Sequence, residues 1–129
     1  MARALHAGLA ALCLVGLAPS APAQAQSKSQ AAFDGAWSVL IVTESGTCDR
    51  AYRYAVNINR GVVSYAGEAG INLSGRVAGN GAVKVTVSRG SQSATGTGRM
   101  TASSGAGKWS GKSGSQTCAG TWEAERRRS

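Results

Sequence analysis

Three tryptophans, three tyrosines and a single histidine carry the most specialised chemistry in this sequence. Trp37, Trp109 and Trp122, with Tyr52, Tyr54 and Tyr65, are residue types that build apolar walls with polar handles. Such walls suit a small planar or apolar ligand. The histidine is His6, and it falls in an N-terminal stretch expected to be removed. The remaining chain then has no imidazole for a catalytic triad, a metal site or a pH switch near neutrality. Glu123 and Glu125 form the one close carboxylate pair in a strand pattern. Both point to the solvent side, which reads as surface charge rather than an acid–base dyad. The run 107–113, Gly-Lys-Trp-Ser-Gly-Lys-Ser, has a superficial phosphate-loop look. Its first glycine is one residue too close to the Gly-Lys-Ser, and no strand-to-helix context surrounds it. Asp34 and Asp49 adjoin turns and suit Asx-type bonding to backbone. No nucleophile–base constellation is visible, so the residues point to a binding protein and not an enzyme.

Charge adds a second candidate surface. The chain carries 14 basic and 6 acidic side chains, a formal charge of +8. Arg76, Lys84, Arg99, Lys108 and Lys112 fall on the polar side of successive predicted strands. Such a face keeps a protein soluble, and it also attracts anionic polymers or lipid headgroups. The aromatic residues fall on the opposite side, where bases could not stack on them. Specific nucleic-acid binding is therefore not expected.

The elements that position these residues follow from composition and period. With 129 residues, one domain is expected. Eighteen glycines and only 16% charged residues argue for short strands and many turns. Period-two alternation predicts eight strands, over 36–44, 50–59, 62–66, 71–78, 82–88, 91–101, 106–113 and 117–125. Gly79-Asn80-Gly81 is a strong hairpin signal, because Asn and Gly tolerate positive φ. No amphipathic helix intervenes, so parallel crossovers have nothing to cross with. An antiparallel meander closing into an up-and-down barrel is the predicted fold, with a β-sandwich as the alternative.

Cysteine placement favours closure. Cys13 follows Leu12 where a lipoprotein anchor needs a small residue, so it does not mark one. Cys48 follows the first strand and Cys118 opens the eighth. In a meander both lie at the same end, and they become neighbours only if strand eight pairs with strand one. A disulfide there is the simplest use of two cysteines in an exported chain. The one-sided glycines Gly96, Gly98, Gly111 and Gly120 share the aromatic face. They either make room for packed indoles in a filled barrel or leave space for a ligand.

Residues 1–25 read as a secretory signal. Arg3 gives a sparse basic start, 7–18 is an apolar stretch too short to span a bilayer comfortably, and Ala23-Gln24-Ala25 is a small-residue cleavage site. The expected organisation is a signal at 1–25, a flexible tail at 26–32 and one barrel domain at 33–129. The expected location is periplasmic or secreted.

The segments Phe33-Asp34-Gly35-Ala36-Trp37, Cys48-Asp49-Arg50-Ala51-Tyr52-Arg53-Tyr54 and Cys118-Ala119-Gly120-Thr121-Trp122-Glu123-Ala124-Glu125-Arg126-Arg127 resemble small exported proteins of rhizobial-type α-proteobacteria. Some of that group carry haem-utilisation or adhesion labels. The label implies haem, for which Tyr52, Tyr54, Tyr65 and Met100 are the only candidate ligands left without His. On the residues' own reading no cofactor and no metal is expected. Gly35-Ala36-Trp37 is also similar to the opening motif of calycins. That resemblance implies a late arginine, here Arg126, packed over the Trp37 ring. Small periplasmic inhibitors of metalloproteases look similar too, which implies a role for the tail 26–32. The reading is an exported, monomeric, non-enzymatic binding protein with an aromatic-lined interior. The alternative is a protease-inhibitor-like or envelope and adhesion protein.

Overall fold

Alternating side chains need one dry face, and eight short alternating strands can give each of them one only by curling round a shared interior. The computed structural model describes residues 15–16 and 31–127, and in it the chain does this. The strands are β1 (Gly35–Ser45), β2 (Ala51–Asn59), β3 (Val62–Tyr65), β4 (Asn72–Val77), β5 (Ala82–Arg89), β6 (Gln92–Met100), β7 (Ser104–Ser113) and β8 (Gln116–Arg126). Each pairs antiparallel with the next, and β8 returns to β1, closing the barrel. The predicted eight-strand up-and-down barrel is the observed fold, and the sandwich alternative falls. All of the expected signal but residues 15–16, most of the tail and the extreme C-terminus lie outside the described residues. No helix among the described residues is long and apolar enough to cross a membrane.

Turn chemistry sets the strand ends. Arg60 and Gly61 have φ of 51° and 78°, the positive pair that a two-residue hairpin needs between β2 and β3. The Arg60 amide donates to Asp34 Oδ1 at 2.8 Å, so Asp34 bonds backbone as expected, though on a distant turn. Strand β7 begins at Ser104, earlier than the alternation predicts. The Thr101 hydroxyl accepts from the Ser104 amide at 3.1 Å, and the Thr101 amide donates to the Ser104 carbonyl at 2.7 Å. That tight turn lets the ladder run on to Met100 opposite Gly105.

The interior is packed at one end. Trp37, Ile58, Val63, Val77, Val83 and Met100 are all buried there, with Phe33 plugging the end from the chain before β1. Trp37 is fully buried, and its indole N–H donates to the Phe33 carbonyl at 2.8 Å. Arg126 lies opposite Trp37 in the β1–β8 ladder, with its guanidinium 4.7 Å from the ring centroid. Its Nε donates to the Ala102 carbonyl at 2.8 Å, Nη2 to Ala32 at 2.7 Å, and Nη1 to Asp34. One side chain thus ties the entering chain, the β6–β7 loop and the core indole together. Gly35 has φ of 129°, and a Cβ there would lie 2.8 Å from Arg126 Nη1, so glycine is required on both counts. The contact implied by the Gly-x-Trp resemblance is in place.

The other end carries the disulfide. Cys48, in the β1–β2 loop, bonds Cys118 of β8 across a sequence separation of 70, with Cα atoms 6.1 Å apart. A cross-link over so long a loop stabilises by roughly 4 kcal/mol in the chain-entropy model.

Arg126→Ala is expected to cost about 2–3 kcal/mol in urea denaturation, from lost charge-assisted bonds and the cation–π contact. Arg126→Lys should recover little of it, because an ammonium cannot reach three carbonyls on diverging segments. Full recovery by lysine would show that charge alone matters there.

Candidate functional site

The barrel is blocked at the Phe33 end and open at the disulfide end, and a cavity of about 550 Å³ occupies the open part. All six aromatic residues singled out from the sequence line it: Trp37, Tyr52, Tyr54, Tyr65, Trp109 and Trp122. Trp37 is its floor. Val39, Ile41, Val85, Val87 and Ala94 form the apolar wall above. These are half-buried, unlike the tightly buried residues of the floor.

The cavity exists because two indoles lie along the wall instead of pointing down the axis. Trp109 of β7 stands opposite Gly120 of β8, and Trp122 of β8 stands opposite Gly107 of β7. Trp122 crosses Gly107 and donates its N–H to the Thr97 carbonyl of β6 at 3.1 Å. A Cβ on Gly107 would sit 2.7 Å from Trp122 Nε1, and one on Gly98 would sit 2.6 Å from Cζ2. Trp109 runs the other way, across β8, and donates to the Val42 carbonyl of β1 at 3.0 Å. With glycines as beds and sheet carbonyls as acceptors, the rings are 9% and 7% exposed for Trp109 and Trp122. The glycines therefore accommodate indoles, as the packing reading holds, and by doing so leave the central space open. Gly111 adds no room, since a Cβ there would lie 2.8 Å from the Ala94 Cβ.

Tyrosines crowd one side of the mouth. The Tyr52 and Tyr54 rings stack 6.2 Å apart at 24°, and Tyr54 meets Tyr65 edge-on at 6.1 Å and 75°. Burial raises the Tyr54 pKa above its ordinary value, and the neighbouring phenols Tyr52 and Tyr65 push the same way, while Arg89 opposes them. Tyr54 is thus a neutral hydrogen-bond donor at physiological pH. The tyrosines sit at the mouth and Met100 in the packed floor, so the candidate haem ligands fall at opposite ends of the cavity.

The rim is polar. Gln92 Nε2 donates to Ser113 Oγ at 3.1 Å, and Thr47 bonds Gln116 through their side chains. Arg53, Arg89 and Lys112 also line the cavity, with Asp49 as the single carboxylate. The sequence reading placed Lys112 only in the outer basic band and did not single out Arg53 or Arg89. The signal for Arg89 was present: it continues the inward alternation of Val83, Val85 and Val87.

The basic band itself forms on the outside. Arg76 pairs with Lys84, Lys84 with Thr97, and Thr97 with Lys108, making one row across β4 to β7. Arg99 lies nearer the packed end, opposite Ala82 and Ala106, and Lys112 lies at the mouth opposite Ser93. All five are exposed. Glu123 and Glu125 occupy exposed positions on β8 and alternate away from the cavity. Among the described residues no cluster of His, Cys, Asp and Glu has the makings of a metal site. The chain matches no family model, no curated protein and no solved structure.

Two outcomes follow from this geometry. Gly107→Ala should destabilise by about 1–3 kcal/mol in urea melts, since the methyl would run into the Thr97 carbonyl and Gly98 Cα of β6 as well as the Trp122 indole. A neutral effect would mean that β6 and the indole do not close over that glycine. Separately, the folded state holds the Tyr54 proton more tightly than the unfolded chain does. Stability should therefore be unaffected below pH about 10 and fall as pH rises through the higher folded value. Absorbance titration of tyrosinate should show a late step that Tyr54→Phe removes.

Proposed function

We propose that this protein is an exported, monomeric, non-enzymatic carrier or receptor for a small apolar or planar ligand. The observation that carries the reading is the open-ended cavity, apolar along its walls and with tyrosines along one side of its mouth. Cavities of this size with few convergent polar groups are the usual form of small-molecule sites. The disulfide supports an oxidising compartment, and the closed strand order supports a monomer. An open barrel favours a small ligand over the inhibitor-like alternative, in which a filled barrel would present a protruding tail.

The neutral fluorophore N-phenyl-1-naphthylamine tests this. It should bind saturably at one equivalent, with blue-shifted emission and energy transfer from Trp109 and Trp122. Val85→Phe, which narrows the wall at mid-depth, should weaken uptake while leaving the barrel folded. Absence of saturable binding, or uptake indifferent to Val85→Phe, would overturn the cavity reading.

A further inference from the structure

The cavity has a sign as well as a shape. Its floor and walls hold no charge, whereas its mouth carries three cations and one carboxylate. Arg89 occupies the inward register one step above Val87, at the end of β5 and opposite Gln92. Arg89 lines the same cavity as Tyr52, Tyr54 and Tyr65, and its charge opposes the rise in the Tyr54 pKa. Arg53 approaches from β2 and Lys112 from β7, so cations stand on three separate strands around the opening. Solubility requires no such placement, because the outer row of Arg76, Lys84 and Lys108 already supplies charge. Cations at the rim of an apolar well instead favour one ligand architecture: an uncharged body that fills the well and an anionic head that stops at its lip. Neutral Tyr54 and its neighbours add O–H donors on the same side.

Resting on the ligand-carrier reading, we propose that the cavity takes a monomeric anionic amphiphile, its apolar part among Val39, Val85 and Trp109 and its carboxylate or similar head between Arg89, Arg53 and Lys112.

Calorimetric titration of the intact protein with decanoate, decan-1-ol and decylammonium separates charge from shape, because the three share one chain. At pH 7 decanoate is ionised, and it should bind roughly five- to tenfold more tightly than the alcohol, the range set by charge-assisted bonds at a partly exposed site. Decylammonium should bind most weakly, and added salt should erode the preference. Arg89→Gln should bring acid and alcohol together, and Lys112→Gln should move the same way if Arg89→Gln disturbs folding by circular dichroism. The outer double variant Arg76→Gln/Lys84→Gln should keep the preference. Equal binding of acid and alcohol would overturn the inference and leave the cavity reading standing. So would loss of the preference in the outer variant alone, which would place the head on the outer row. If none of the three binds while N-phenyl-1-naphthylamine does, this inference alone fails. If the fluorophore fails as well, the cavity reading fails with it.

Discussion

Everything in this molecule depends on the seam where the last strand meets the first. An up-and-down sheet that did not close would leave two edges and a half-exposed apolar face. The β1–β8 ladder closes it, and the seam is fastened at three heights. At the packed end the Arg126 guanidinium covers Trp37, its direct partner in the ladder. Midway, Trp109 reaches across β8 to the Val42 carbonyl of β1. At the open end the Cys48–Cys118 bond ties the first loop to the last strand. Each fastener uses a different physics, and together they hold the two strands farthest apart in sequence.

The same seam explains why the interior is half full. A barrel of eight strands is just wide enough for side chains to fill it. Three indoles pointing inward would do so. Only Trp37 is spent that way, capped by Arg126 and plugged by Phe33. Trp109 and Trp122 each face a glycine on the neighbouring strand and lie flat along the wall, with their N–H groups satisfied by sheet carbonyls. Large aromatic area is buried without using the lumen. Stability and an open well are thus obtained from one arrangement, which removes the conflict between a packed and a hollow barrel.

Much of this was legible in the residue order. The period of a strand assigns every residue to one of two faces, so the aromatic residues, the inward glycines and the outer basic row could be separated by parity alone. Strand ends were less legible. The β7 start at Ser104 depends on hydroxyl bonding by Thr101, and β3 stops at Tyr65 where the alternation ran on. The rim was least legible. Arg53 and Lys112 alternate outward, yet each lies close enough to a strand end to line the opening, and parity says nothing about a long side chain at an edge.

Sequence alone therefore determined the faces, the antiparallel order and the cysteine pair, because period-two geometry and the lack of any amphipathic helix pattern between the strands leave few other arrangements. Closure was a consequence of where two cysteines sat. Whether the barrel is hollow was decided only by tertiary structure. That outcome turns on register, which sets Trp109 against Gly120 and Trp122 against Gly107, and on the direction each indole then takes across the sheet. Alternation fixes up or down, but not which residue on the next strand lies alongside. The convergence of Arg53, Arg89 and Lys112 on one mouth has the same origin. They come from three strands far apart in sequence, and only the curvature of the closed sheet brings their ends together.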